Sequence, residues 1–323
     1  MRKVIALSLS LPLLALAALS VGAVSIPDIW SYIFNPFFDS TSTAHQIIWD
    51  IRAPRIAAAI VVGASLGIAG VLGQGATNNP LADPAFLGTT AGASVGVLIG
   101  IIFNVAEIGS ISAVIFAAVG ALAATLATFS LARSALQLII IGIGVSAILS
   151  ATAGLIISIV ARPEARSVSF WSLGSLALVT SENLYLLVPV LIATVVAAFS
   201  LSRGLDLLSL GDFAVRHIGV NPQRVRLKAF VILSVVVATA VSTVGTISFL
   251  ALASPHIARF IVGPRHRNLF LTSAFVGALI LLVADTAARS VAPPQDLPIG
   301  LIISLIGAPI LILALKRGGL VWR

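Results

Sequence analysis

Apolar runs of membrane-crossing length follow one another along the chain, separated by short polar breaks. Val4–Val24, Ile56–Gly75, Leu87–Phe103, Ile111–Leu131, Leu138–Val160 and Leu184–Leu201 make six. Phe230–Val244, Ile247–Val262, Leu269–Ala287 and Ile299–Leu315 make four more. About 20 apolar residues span a bilayer as a helix, so the pattern predicts an all-α, polytopic membrane protein of about ten transmembrane helices. The run at Ile247–Val262 is short and holds Pro255, which predicts a broken crossing. The first run, with Arg2 and Lys3 before it, resembles a signal peptide at its start but is long for one; it is read as a retained first span. Residues 1–323 form a single transmembrane domain on this pattern.

Composition narrows the class further. Hydrophobic residues make up 59% of the 323 positions and charged residues 9%, far below the quarter or so of soluble domains. That excludes a soluble globular chain and a disordered one. The formal net charge of +8 is then a membrane-topology signal rather than a sign of nucleic-acid binding. With the N-terminus inside and ten crossings, both termini are cytoplasmic. Fourteen of the 19 basic residues then fall inside, leaving Arg52, Arg55, Arg162, Arg166 and Arg289 outside. Zero cysteines remove disulfides and thiolate metal sites.

The chain carries little chemistry of its own. None of its three lysines follows a glycine, so it has no P-loop, and ATP use belongs to a partner. Gly63-Ala-Ser65-Leu-Gly67 and Gly92-Ala-Ser94-Val-Gly96 match the pattern of nucleophilic serines. In Gly/Ala-rich spans the same spacing is read as close helix packing. The four histidines are scattered, without metal-site spacing. No catalytic or metal-binding residue is assigned. Asp285 is an acid deep in a span; it is read as paired with Arg289 one turn on, and as the proton or cation site if the protein were an ion-coupled secondary transporter.

Two charged regions remain. Residues 203–228 form the one long charged segment. Ser209 is read as the cap of a short helix, Gly219 as its left-handed end, Asn221 as the next cap and Pro222 as the first residue of the next helix. Arg216 and Arg224 are expected to be exposed on this rigid element, which suits docking to a partner. Arg52, Arg55 and Arg289 gather at the outer ends of their spans and are read either as snorkelling anchors or as a cationic rim for an acidic partner. Asn79-Pro80 and Ser254-Pro255 form a faint internal echo of opposite orientation, the mark of an inverted repeat.

Ordered motifs over nearly the whole chain resemble the FecCD family, the permease subunits of ABC importers for iron-siderophores, haem and cobalamin. They are Arg52-Ala-Pro-Arg55, Asn79-Pro-Leu-Ala-Asp-Pro84, Trp171-Ser-Leu-Gly174-Ser175, Arg203 to Asp212, and Gly219-Val-Asn221. Gly245-Thr-Ile-Ser-Phe249, Ser254-Pro-His-Ile-Ala-Arg259, Ala284-Asp-Thr-Ala-Ala-Arg289 and Leu297-Pro-Ile-Gly300 continue them. Thr246 stands where the family usually has proline. The Arg203 to Asp212 stretch looks closest to ferric-chelate members.

The resemblance implies a permease in the bacterial inner membrane that moves a ferric siderophore or related iron chelate, with haem or cobalamin as the alternative cargo. It implies two P-loop ATPase subunits carrying ATP and magnesium, a second permease subunit, identical or paralogous, and an extracytoplasmic binding protein. By position, Arg52, Arg55 and Arg289 dock the binding protein. Asp212, Arg216, Gly219, Val220, Asn221 and Arg224 couple to the ATPase. Ala135 and Leu136 fall in the cytoplasmic gate region, where a relative has small hydroxyl residues. Charge reversal at Arg52 and Arg55 is expected to abolish delivery with the fold intact.

Overall fold

The computed structural model describes residues 2–316, apart from 23, 36–38, 40, 133, 160–167 and 294, and the side chains of residues 9–309, apart also from 135 and 136. Among the described residues all regular structure is helical: α1 (Arg2–Ser20), α2 (Ile29–Phe34), α3 (Ala53–Thr77), α4 (Thr89–Ile102), α5 (Ile111–Leu131) and α6 (Ala135–Ile159) come first. They are followed by α7 (Ser181–Leu208), α8 (Asp212–His217), α9 (Pro222–Val244), α10 (Leu250–Val262), α11 (His266–Ala288) and α12 (Ile299–Lys316). Six are long and apolar enough to cross a membrane, and four shorter apolar helices lie at the other predicted spans.

The centre of the bundle is α3, buried along nearly all of its 25 residues. Its sequence is rich in glycine, alanine and serine, which lets neighbouring backbones come close. A Cβ on Gly63 would collide with the backbone of Gly277, and one on Gly67 with that of Ser273. The Ser273 hydroxyl donates to the Gly67 carbonyl at 2.8 Å. The Gly-x-Ser-x-Gly stretch of α3 is thus its contact with α11. The second such stretch packs α4 on α5, where Gly92 meets Gly120 and Gly96 meets the Phe116 carbonyl. Thr89, Thr125 and Ser234 then link α4, α5 and α9 through buried hydroxyl bonds of 2.7 and 3.1 Å.

Three expectations change. The helix containing α3 starts earlier than Ile56: Gln46–Arg52 is wound as a π-helix that runs straight into it, leaving Trp49 to donate to the Tyr32 carbonyl at 3.1 Å. Pro255 does not break its crossing, because it sits inside α10. A proline leaves the carbonyl four residues earlier without its helix partner, here that of Ala251, and this carbonyl faces Gly70 of α3. The chain breaks upstream instead, over residues 245–248, where it is not helical. Asn79-Pro80 lies in a non-helical connection and Ser254-Pro255 in a helix, so the two dipeptides do not occupy like positions.

Helices α5, α6 and α7 carry their apolar side chains outward. Only 6% of the most apolar stretch of α6 is buried, against 89% for the helix containing α3. Such a surface needs lipid or another subunit over it.

Candidate functional site

Three regions hold the residues that the sequence singled out. The first is a corner where α1 ends, α3 begins and α11 ends. The last carbonyls of a helix have no partner within it, and here arginines supply donors. Arg52 donates to the carbonyls of Leu19 at 2.8 Å and Val24 at 2.7 Å. Arg289 donates to those of Ala18 and Val21. Arg55 donates Nε to Asp285 and Nη1 to Asp296, both at 2.7 Å. Asp285 is fully buried, and Arg289 Nε stands 3.5 Å from its other oxygen.

The predicted Asp285–Arg289 pairing is therefore present but secondary; Arg55 is the nearer partner. A carboxylate flanked by two guanidiniums is already neutralised, which disfavours its use as a site for a transported cation. All three arginines are buried, at 5–7% exposure. They are not a free rim in this conformation but the pins of the corner. Asp296, in the connection before α12, is a member the sequence reading missed; no motif spacing pointed to it.

The second region is at the opposite end of the bundle. α8 begins after Gly211, which has φ +88°, not after Ser209. Ser209 instead bonds back to the Asp206 carbonyl at 2.6 Å and closes α7. The remaining features agree with the sequence. Gly219 is left-handed at φ +82°. Asn221 accepts from the backbone of Gln223 at 3.0 Å and of Arg224 at 3.3 Å, with Pro222 next in the helix. Arg216, Gly219, Asn221 and Arg224 are exposed, Val220 is partly buried, and Phe213 offers 80% of its surface.

Asp212 is partly buried because it is held from below. Arg226 grips it with two bonds of 2.8 and 2.7 Å and also donates to the Ala76 carbonyl at 3.0 Å, at the end of α3. The Arg226 guanidinium lowers the Asp212 pKa from the ordinary carboxylate value. The same arginine thus joins α8, α9 and α3. It is visible in the sequence only as one charge among several. The backbone of α6 starts at Ala135, while the side chains of Ala135 and Leu136, and all of Arg133, Arg162 and Arg166, lie outside the described residues.

The third region is a cavity of about 620 Å³ against the open face of α6. Thr90, Ser94, Ser146, Ser150, Ser172, Thr246 and Ser248 line it among alanines and aliphatic residues, with the Ser94, Ser146 and Thr246 hydroxyls donating to backbone carbonyls. Such a wall hydrogen-bonds weakly and carries no charge. Next to its lining residues Ser172 and Thr246 the chain packs backbone against backbone. Gly245, at φ +74°, would strike the Trp171 carbonyl with any Cβ, and Gly174 would strike that of Thr246. Ser175 donates its backbone N–H to Val244, and Ile299 to Gly174, both at 2.8 Å. Thr246, where a proline was the expected family residue, donates its hydroxyl to the Ser172 carbonyl at 2.6 Å. Three separate motifs of the sequence meet here.

Comparison with known proteins gives a consistent result. The model of the FecCD transport family matches residues 9–317. A hemin transport system permease protein of Yersinia pestis is 34% identical over 307 residues, covering 93% of this chain and 90% of its own. An iron(3+)-hydroxamate import system permease protein of Bacillus subtilis is 36% identical over 323 residues, covering 97% and 83%. A solved chain described as an inward-facing metal-chelate type ABC transporter superposes with a TM-score of 0.85 at 30% identity, covering 98% of this chain and all of that one.

Proposed function

The chain belongs to the FecCD transport family, and from that premise we propose that it is the permease subunit of an ABC importer carrying a ferric siderophore or related iron chelate into the cytoplasm. It is a multi-pass membrane protein. The end that carries α8 holds Arg203, Arg216, Arg224, Lys228, Arg265 and Arg267, and by the positive-inside rule it is the cytoplasmic end. Both chain termini then lie in the cytoplasm, and the membrane is the bacterial inner membrane.

The observation that carries this reading is the exposed helix–glycine turn–helix of α8 and α9, clamped to the end of α3 by Arg226. A rigid element of this kind passes displacement of a partner into the bundle. Two ATPase subunits, using ATP and magnesium, act on Asp212 to Arg224 and leave the hydrolysis outside this chain. A second permease subunit covers α6 and closes the hydroxyl-lined cavity into a pathway. No bond of the solute changes in it.

The binding protein docks at the arginine corner. Its carboxylates compete with the neutral carbonyls of Leu19, Val21 and Val24 for Arg52 and Arg289, and charge-assisted bonds are the stronger ones. Docking is in this way tied to release of the end of α1. Solute identity is set mainly by the binding protein, because the cavity offers hydroxyls and aliphatic surface that suit several large neutral chelates.

The experiment is affinity purification of the tagged chain in mild detergent with mass spectrometry of the co-purifying proteins. A P-loop ATPase and a second permease are expected. Alanine at both Arg216 and Arg224 should reduce ATPase recovery without changing the yield of the permease. Recovery of the chain alone, under conditions that keep related importers intact, would overturn the assignment.

A further inference from the structure

The apolar outer face of α7 ends on a charge. Tyr185, Val188, Ile192 and Val196 are exposed along it at intervals of three and four residues, and Arg203 continues the same stripe at the end that carries α8. Tyr185, 82% exposed, stands at the other end. The helix rises about 27 Å from Tyr185 to Arg203, close to the roughly 30 Å of a bilayer's hydrocarbon core. Tyrosine and arginine suit the two boundaries of such a layer. The stripe therefore faces lipid, and Arg203 stands among the headgroups of the cytoplasmic leaflet.

Helix α11 brings a second arginine to the same level. The end of α7 meets the start of α11 where Asp206 accepts from the His266 backbone N–H at 3.0 Å. Further in, Phe199 of α7 and Phe270 of α11 meet with ring centroids 6.2 Å apart. Arg203 lies four residues after Phe199 and Arg267 three before Phe270, so each is one turn nearer the cytoplasmic end and on nearly the same face as its phenylalanine. Arg267 begins an outward stripe of its own: Leu271, Phe275 and Leu279 follow it at intervals of four, exposed or half-buried. The two stripes border the line where α7 meets α11, and each ends in an arginine at the cytoplasmic side. Both arginines are exposed, and neither belongs to an ion pair among the described residues. Asp206, three residues from Arg203, instead accepts at one oxygen from both the backbone and the ring of His266.

We propose that the seam between α7 and α11 holds an anionic phospholipid of the cytoplasmic leaflet, with its phosphate between Arg203 and Arg267 and its acyl chains along Val196 and Leu271. Guanidinium groups pair phosphate oxygens bidentately, and basic sites between membrane helices on the cytoplasmic side take anionic headgroups. Two unpaired arginines from separate helices over one apolar seam make a shared site, where a single snorkelling side chain would make only an anchor. The occupant is lipid rather than another subunit, because the α7 stripe has the length of the bilayer core and changes to charge at its boundary. A lipid held here ties the end of α7, which leads directly into α8, to the start of α11. The inference is independent of the transport reading, because it concerns lipid binding to this chain.

The test is native mass spectrometry of the purified full chain in a neutral detergent, titrated with dioleoyl phosphatidylglycerol and, separately, with dioleoyl phosphatidylcholine. Saturable binding of phosphatidylglycerol, at least about tenfold tighter than phosphatidylcholine, is expected. Arg203→Gln and Arg267→Gln should each weaken it about fivefold, and the double variant about twentyfold. Arg265→Gln is the control: Arg265 is exposed two residues from Arg267 but lines a separate cavity between the ends of α3 and α7, and its loss should leave phosphatidylglycerol binding unchanged. All three side chains are exposed, and an unchanged unfolding midpoint in detergent checks that each variant folds. Equal binding of the two lipids, full phosphatidylglycerol binding in the double variant, or equal weakening by Arg265→Gln and Arg267→Gln overturns the proposal.

Discussion

Arg55 and Asp285 are 230 residues apart in the chain and 2.7 Å apart in the fold. The pair ties the start of α3 to the end of α11, the two helices whose glycines interlock along their length. Asp296 shares the same guanidinium, so the connection into α12 is fixed by the same contact.

Removing one member of a buried pair leaves the other uncompensated, at a cost of about 3–5 kcal/mol. Asp285→Ala takes the carboxylate from Arg289 and leaves Arg55 with Asp296 alone. It should lower the thermal unfolding midpoint in detergent sharply, whatever solute is present. Arg55→Met combined with Asp285→Leu should lose less than the sum of the two single changes. Strict additivity of the two would mean that they do not act as a pair.

Charge reversal at Arg52 is not a surface change, contrary to the expectation from sequence. Arg52→Glu places a carboxylate against the carbonyls of Leu19 and Val24, so the end of α1 should detach. Hydrogen exchange over residues 15–22 should rise in the purified protein before any binding protein is added. Arg52→Gln, which keeps a donor, should preserve much of that protection and report on docking alone.

Arg226→Ala should free α8 from α3 and α9 while leaving the membrane helices in place. The readout is exchange of the amides of residues 212–217, expected to accelerate at neutral pH. Asp212 has its pKa held down in the fold, so its contribution is present above the ordinary carboxylate value of about 3.9 and is lost as pH falls below it. The wild-type protein should keep its α8 protection from pH 8 to pH 5 and lose it only in more acidic solution.

Asp83, in the connection between α3 and α4, behaves in the opposite sense. It accepts the Ala85 N–H at 2.8 Å, yet burial pushes its pKa up to about 6. Its folded pKa is above the unfolded value, so the favourable protonated state is lost as pH rises through about 6. Asp83→Asn keeps an acceptor for Ala85 and removes the charge. It should be nearly neutral at about pH 3.5, below the unfolded value, and stabilising at pH 8, by roughly 2–3 kcal/mol at most. Equal effects at both pH values would show that Asp83 does not titrate in this range.

Two glycine substitutions should separate close packing from open surface. A Cβ on Gly70 meets the Ala251 carbonyl, whereas one on Gly144 meets nothing within 4 Å. Gly70→Ala should destabilise the chain by about 1–3 kcal/mol. Gly144→Ala, on the open α6, should leave the isolated chain unchanged.

The sequence alone determined the class, the order of the helices and the capping at Gly219, Asn221 and Pro222. These follow from local rules: apolar length sets a span, and a left-handed glycine or a side-chain acceptor sets an end. It also identified Gly63-Ala-Ser65-Leu-Gly67 as packing, because small residues at that spacing make a groove whatever fills it. Ser209 was misassigned because an Oγ can serve the helix before it or the one after, and only the path of the chain at Gly211 decided between them. Tertiary structure alone decided the partners of the charges. Asp285 has an arginine four residues on, and spacing favours that neighbour; the closer one comes from a helix that α11 meets through backbone contact. Arg226 and Asp296 are likewise ordinary charges until the folded chain brings Asp212 and Arg55 to them. A buried charge is satisfied by whatever the packing places within hydrogen-bond reach, and that distance is a property of the assembled bundle rather than of any segment.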